Sequence, residues 1–521
     1  MNEMDFLNNL GFSSNPFQHT NADEEELLEK YFVPPPYFQS VWGDPQRPKS
    51  CVIFAPRGAG KSAQRRMLEI RGSAPGSKVL CVQYSRFEIE GEGSLASIDL
   101  GYHLKNIIQL CTIAFFLKSY ELGVDHLSYT DQEKQWIQQI CAYYLSDVTP
   151  EGVKEAVDSI KSPAEKAKQF LSSKLWAINA LIAAAAINFK VSPSAVTITS
   201  PSGAKSIASP SKLHLSIIIS LIYKLGHDSV SILIDKVDET SYTGNDAKNS
   251  YALIAPLLRD LELLEMKGVG FKFFLWNELQ PYHKKYSRPD RVQHFDLSWT
   301  PDELRKIMAQ RLQAFARNGA PKFQDLLSLE MGLSERNAVE RLLITLSHGS
   351  PRDMVRLCRQ MIIEELRFNP QSSERISRQA VKAAFDKFCK TRAEEIVPEK
   401  VLEELKKNHR LDFTVSHVAS NVFKISTNAA RTKINNWVTT GVVRHIDEII
   451  IKSKEKPVYH YAVVDSRVAK SIFSELGFVE FLNNKMKSCV KCGMYVYRDW
   501  DISQKHICHN CKCQFPVSSA K

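Results

Sequence analysis

Residues Cys51–Ser62 read CVIFAPRGAGKS. Cys51, Val52, Ile53 and Phe54 form a short apolar run that predicts a buried strand. Pro56, Arg57, Gly58, Ala59 and Gly60 make a turn, and Lys61 and Ser62 open a predicted helix, AQRRMLEI. Strand, glycine loop and helix N-terminus follow in the order a phosphate cradle needs. Glycines let the loop curl so that successive N–H groups point inward, and the helix start adds partial positive charge. Arg57, Gly58, Ala59, Gly60, Lys61 and Ser62 are therefore the candidate phosphate-binding residues. Lys61 would reach the β- and γ-phosphates, and the Ser62 hydroxyl would sit on Mg²⁺. The pattern is G-x-x-x-x-G-K-[ST] with one departure, Ala55 at the first glycine.

Val230–Glu239, VSILIDKVDE, supplies the second half of a nucleotide site. A buried strand ending in an acid puts that acid beside the phosphates. Asp235 would hold Mg²⁺ through water, while Asp238 or Glu239 would orient or deprotonate the attacking water. A further predicted strand, Gly268–Trp276, ends at Asn277, a polar residue placed to sense the γ-phosphate. His283–Arg291 is a basic loop. Its Arg288 and Arg291 are candidate arginine fingers toward a neighbouring subunit, or simply solvated cations. Pro301–Phe315 predicts an amphipathic helix capped by Thr300. His348–Met354, HGSPRDM, opens another helix, and its Arg352 is a candidate nucleotide contact.

A chain of 521 residues predicts about three domains. Apolar content of 44% and charged content of 24% describe an ordinary globular protein. Of the net +10, Lys390–Lys521 contributes +8 (22 Lys/Arg minus 14 Asp/Glu), which suits an anionic partner. The N-terminal MNEMDFLNNLGF lacks the basic start and apolar core of a signal peptide. The most membrane-like stretch, Leu175–Phe189, holds Asn179 and Asn188 and is shorter than the ~20 apolar residues a span needs. Six of eleven cysteines are scattered among apolar residues and read as reduced core thiols. These features predict a cytoplasmic protein without a membrane partner.

The expected fold class is α/β: a phosphate-loop NTPase core built on a parallel sheet with flanking helices, then a helical lid, a winged helix and a zinc ribbon. The expected boundaries are a lead-in at 1–48, the core at 49–299 with a helical insertion at about 100–225, the lid at 300–390, the winged helix at 391–470, and a linker helix with the ribbon at 471–521. Within the lead-in, Asn21–Tyr31 predicts a short acidic helix. Pro34-Pro35-Pro36 is stiff and extended, and Tyr37 or Phe38 after it would stack on adenine or strap the core surface. Leu100–Leu122 and Thr130–Leu145 show helical apolar spacing.

The series AxxxxGKS, hhhhDxxDE, a strand ending in a polar residue and GxPR in a helical lid resembles the AAA+/STAND branch of phosphate-loop NTPases. It is particularly similar to origin-recognition-like and transposition-type ATPases. The resemblance covers about residues 15–390, with 100–225 unmatched. It implies ATP and Mg²⁺ as cofactors, Lys61 and Ser62 on phosphate and metal, Asp235 as the first Walker B acid, Asn277 as the first sensor and Arg352 as the second. It also implies a prokaryotic setting in a mobile element or phage defence. Two departures stand out. Asp238-Glu239 follows Asp235 after a gap, as in STAND proteins, and Lys236 replaces the glycine often found after the first acid.

In the C-terminal quarter, predicted helices at Pro398–Lys407, Thr414–Phe423 and Thr427–Val438 precede predicted strands at Val442–Ile451 and Val458–Val464. Three helices and a hairpin make a winged helix, a domain the resembled ATPases also carry. Asn428, Arg431, Lys433 and Asn435 on its third helix are candidate DNA contacts, as are Lys454 and Lys456 at the wing tip. Thr427 and Asn436 are further candidates, and contact with a protein is the alternative. Last, Cys489-x-x-Cys492 and Cys508-x-x-Cys511, fifteen residues apart, have the spacing of a four-thiolate Zn²⁺ site.

Together these readings predict an ATPase whose nucleotide state controls binding of double-stranded DNA. A homo-oligomer and an effector protein are possible partners. The alternatives are a STAND-like switch that oligomerises on ATP and recognises a protein, and a DNA-binding regulator in which nucleotide is structural.

Overall fold

The computed structural model describes residues 2–87, 95, 98–122, 129–145, 210–371, 374–449, 458–491, 495–497, 505–507 and 513–516. The chain divides into two compact units, Pro34–Ser298 and Met1–Val33 with Trp299–Lys521.

The first unit is built on five parallel strands: β1 (Cys51–Ala55), β2 (Val79–Tyr84), β3 (Ser229–Ile234), β4 (Val269–Trp276) and β5 (Gln293–Asp296). Their order across the sheet is β2-β3-β4-β1-β5. Every residue of β1 and β3 is buried, as expected of strands covered on both faces, which read as continuous apolar runs rather than alternating ones. Helix Lys61–Ser73 crosses back over β2. At Gly72 it comes so near that a Cβ would lie 2.6 Å from Cys81 Sγ.

The block expected as an insertion supplies part of this core. Helices Leu100–Glu121 and Pro210–Lys224 bury Leu104, Ile107, Ile108 and Leu215, Ile218, Ile222 in the same cluster as Val82 and Val230. Helix Asp131–Tyr144 joins them with a Thr130/Glu133 capping box. Leu100–Ser119 is long and apolar enough to cross a membrane by length and composition, and its apolar residues fill the core. Leu175–Phe189 lies outside the described residues.

In the second unit, helix Pro301–Phe315 starts at a Thr300/Glu303 capping box and carries the buried Arg311. Arg311 gathers the N-terminal segment: Nη1 donates to Tyr31 Oη at 3.0 Å and Nη2 to His19 O at 3.2 Å, while Pro16 O and Glu25 complete its shell. This explains why the expected acidic helix at Asn21–Tyr31 shrinks to Leu28–Tyr31. Glu25 is drawn inward as a buried counter-ion, and the Asn21 side chain accepts from Asp23 N at 3.2 Å, a turn that competes with helix. Helices Leu333–Leu346, Pro351–Phe368 and Arg378–Ile396 follow.

Next come helix Glu399–Asn408, strand β6 (Asp412–Thr414), helical turns over Val415–Phe423, helix Thr427–Thr439, and strands β7 (Val443–Ile449) and β8 (Val458–Val463). The three strands form an antiparallel sheet in the order β6-β8-β7. The expected helix Thr414–Phe423 is a three-residue turn running into a π-turn, closed by Lys424 at φ +51°. Among the described residues two short antiparallel strand pairs follow: β9 (Met486–Ser488) with β10 (Tyr495–Tyr497), and β11 (Lys505–Ile507) with β12 (Gln514–Pro516).

Candidate functional site: a phosphate loop flanked by two acids

β1 ends at Ala55, and the chain turns through Pro56–Gly60 into helix Lys61–Ser73. Gly58 (φ +78°) and Gly60 (φ +102°) occupy the left-handed region, where a side chain is strained. The loop therefore needs glycine at both positions and accepts Ala55, which lies in the strand. Lys61 Nζ donates to the carbonyls of Ala55 (3.3 Å) and Pro56 (3.4 Å), so its ammonium lies over the loop. The unit has the α/β fold of a phosphate-loop NTPase core: a parallel sheet with flanking helices and a glycine loop leading from strand to helix.

β4 lies between β1 and β3 in the sheet, so their C-terminal ends converge. Ala55 pairs with Trp276 across β1 and β4, which places Asn277, the next residue, beside the loop. Asp235 follows β3 and is buried. Its Oδ1 accepts from Lys236 N at 2.9 Å, and its Oδ2 accepts from Arg65 Nε at 3.1 Å. Arg65 comes from the loop's own helix, is fully buried and also pairs with Glu69. Asp238 is buried as well and accepts from Arg57 Nε at 2.9 Å. The Arg57 guanidinium lies 4.2 Å from the centre of the Trp276 ring. Glu239 is exposed, and its N–H closes a turn onto Lys236 O at 3.1 Å.

Arg57 and Lys61 thus follow β1, and Asp235 and Asp238 follow β3, at the same C-terminal edge of the sheet. Lys236 takes φ +61°, the left-handed conformation that a glycine there would adopt without strain. Sequence reasoning passed over Arg65. The one signal was a pair of charges, Arg65 and Glu69, at i,i+4 beside Leu68 on the buried side of a helix.

Loop N–H groups, an ammonium, the Ser62 hydroxyl and the Asp235 carboxylate form the donor set that Mg²⁺-bound nucleotide requires, with hard oxygens for the metal and cations for phosphate. The aromatic candidates are otherwise engaged. Tyr37 stacks on Phe295 at 4.8 Å and Phe38 is buried. Arg288 pairs with Asp290 and Arg291 with Glu265 at the surface.

Arg352 belongs to the second unit. The next residue, Asp353, is buried and receives Arg467 Nη1 at 2.7 Å and Arg392 Nη2 at 3.1 Å. Arg467 also pairs with Asp465. Burial pushes the Asp465 carboxyl up, but His348 and Arg467 outweigh it and hold it well below the ordinary range.

On helix Thr427–Thr439, Asn428, Arg431 and Asn435 are exposed, as are Thr427 and Asn436. Lys433 is turned inward. It pairs with Glu404 and lies 4.8 Å from the Phe423 ring centre, and Trp437 Nε1 donates to the same carboxylate at 2.8 Å. Lys454 and Lys456 lie outside the described residues, as do Cys492, Cys508 and Cys511. Cys489 is buried, and its Sγ accepts from Lys491 N at 3.4 Å. Among the described residues no three His, Cys, Asp or Glu group to hold a metal.

No family model matches the chain, and no curated protein matches it. Among solved structures, one match is the Aeropyrum pernix Orc1 protein in complex with DNA. It is 12% identical, covers 87% of this chain and 96% of that one, and superposes with a TM-score of 0.36. At that TM-score the likeness carries no argument.

Proposed function

We propose that the chain is an ATPase whose nucleotide state controls binding of double-stranded DNA. The observation that carries the ATPase reading is the convergence of Lys61, Asp235 and Asp238 at one edge of a parallel sheet, around a loop with two left-handed glycines. The loop N–H groups and Lys61 hold the phosphates. Ser62 and Asp235 hold Mg²⁺, which when bound neutralises charge on the β- and γ-phosphates. Asn277 at the end of β4 faces the γ-phosphate, and Asp238 or Glu239 orients the attacking water. Arg352 is assigned the second-sensor role on its motif alone.

The DNA half rests on the basic C-terminal quarter. Its order of helix, strand, helical turn, helix and hairpin is read as a winged helix, with Asn428, Arg431 and Asn435 as the exposed face. That face carries no acid. The strand pairs β9–β10 and β11–β12 bracket Cys489–Cys492 and Cys508–Cys511. The N–H···S bond at Cys489 fits a thiolate zinc knuckle, so Zn²⁺ is proposed as a structural ion.

A STAND-like switch is the second reading, favoured by one observation: Asp235 and Asp238 are each paired with an arginine, Arg65 and Arg57. It predicts slow turnover and indifference to DNA. The test of the ATP site is Lys61→Ala, which should abolish phosphate release from ATP. Wild-type hydrolysis in that variant would overturn the assignment.

A further inference from the structure

Arg57 sits in the phosphate loop itself, yet its hydrogen bond goes to an acid 181 positions later: Nε to Asp238 Oδ2 at 2.9 Å. The pair is asymmetric. The Arg57 side chain is 41% exposed and that of Asp238 only 5%. Trp276 lies under the guanidinium at 4.2 Å. It supports the flat face of the group and leaves the N–H edge free to choose a partner. The three residues come from the loop after β1, the turn after β3 and the last position of β4. They therefore meet at the sheet edge that a γ-phosphate on Lys61 faces. A half-exposed cation thus stands between the Asp238 carboxylate and the place a γ-phosphate would take.

We propose that Arg57 is a nucleotide-state switch that trades Asp238 for the γ-phosphate when ATP binds and thereby releases Asp238 as the base for hydrolysis. The idea rests on the reading of this edge as an ATP site. With ADP, Arg57 stays on Asp238 and the carboxylate is occupied. With ATP, a water oxygen bonds to the γ-phosphorus and its proton passes to Asp238. The bond from the γ-phosphorus to the β,γ-bridging oxygen breaks, and its electrons leave with ADP. The proton then passes to the phosphate product. Glu239 is left outside this step, because it is exposed and its backbone closes the turn on Lys236. Arginine suits the role better than lysine, since only a planar guanidinium can stay stacked on Trp276 while exchanging partners at its edge.

The test is binding of fluorescently labelled ATP and ADP, with Mg²⁺, by anisotropy. Arg57→Ala should weaken ATP by about tenfold or more, the scale of a charge-assisted hydrogen bond, and leave ADP within about twofold. Asp238→Asn removes the competing anion, so it should tighten ATP severalfold while slowing hydrolysis about 100-fold or more. Equal loss of ATP and ADP in Arg57→Ala would reduce Arg57 to a structural residue and overturn the proposal. ATP affinity in Asp238→Asn no better than wild type would overturn it independently, even if Arg57→Ala fails to fold. Wild-type protein that binds neither nucleotide would overturn the ATP-site reading beneath it.

Discussion

Arg65 Nε donates to Asp235 Oδ2 at 3.1 Å, and both side chains are buried. The cation rises from the helix that the phosphate loop starts, and the acid closes the strand two places away in the sheet. The two halves of the proposed nucleotide site are therefore joined by a buried ion pair. Because Glu69 grips the other side of the same guanidinium, Arg65 is fixed in place and orients the Asp235 carboxylate.

Removing one member of a buried ion pair leaves the other uncompensated, at a cost of about 3–5 kcal/mol. Arg65→Ala should lose stability on that scale in urea unfolding, because it strips a cation from both Asp235 and Glu69. Arg65→Lys keeps the charge but not the fork, and should fall between the variant and wild type. A loss under about 1 kcal/mol in Arg65→Ala would show that the pair is not a structural tie.

Lys236 holds a left-handed backbone (φ +61°) directly after Asp235. A non-glycine residue there is strained by about 1–2 kcal/mol, while glycine gives back part of that through unfolded-state entropy. Lys236→Gly should leave stability unchanged or raise it by up to about 1 kcal/mol, and it keeps the N–H that donates to Asp235. Lys236→Val should destabilise by about 1–2 kcal/mol. Thermal unfolding of the two variants side by side reads the sign directly.

The difference between Asp235 and Arg65 shows what a sequence discloses. Lys61, Asp235 and the strands before them can be read because each motif is local: an apolar run, a turn, then one chemical group. Thr300 as a cap is local in the same sense. The Arg65–Asp235 pair spans 170 positions, and no short pattern marks an arginine whose partner lies on another strand. The shortened helix at Leu28–Tyr31 fails for the same reason, since Glu25 answers to Arg311, 286 positions on. Lys433 looks like its neighbours on the helix, and only tertiary packing shows that it faces Glu404 rather than solvent. The helix at Leu100–Glu121 was legible as a helix, and Pro210–Lys224 only as part of a helical block at about 100–225. Their place in the core was not, because burial depends on the sheet they cover.

Two buried imidazoles make stability depend on mildly acidic pH. Burial pushes His103 down to about 4, against its bond to Leu253 O. Burial, aided by His294, does the same to His283. Unfolded histidine titrates near 6.5. Between pH ~6.5 and ~4 the unfolded chain thus binds more protons than the folded one, so stability falls as pH drops through that window. Urea midpoints should decline from pH 6.5 to pH 5, and less steeply in His103→Gln. An unchanged slope in that variant would remove His103 from the effect.

The two basic residues of helix Thr427–Thr439 should separate by experiment. Arg431 is exposed, so Arg431→Ala should weaken duplex binding by about 1–3 kcal/mol and lower the salt slope by about one. Lys433 is tied to Glu404, so Lys433→Ala should reduce stability and leave the salt slope unchanged. Equal effects of both variants on the slope would mean that Lys433 reaches DNA.

The most direct test of coupling between nucleotide and DNA is ATP hydrolysis by the full chain, with and without double-stranded DNA, over a salt series. The account predicts stimulation by DNA that fades as salt rises, because a basic C-terminal quarter that holds DNA phosphates would do so by counter-ion release. Slow hydrolysis that is flat with DNA at every salt concentration would contradict it and leave the STAND-like switch as the better reading.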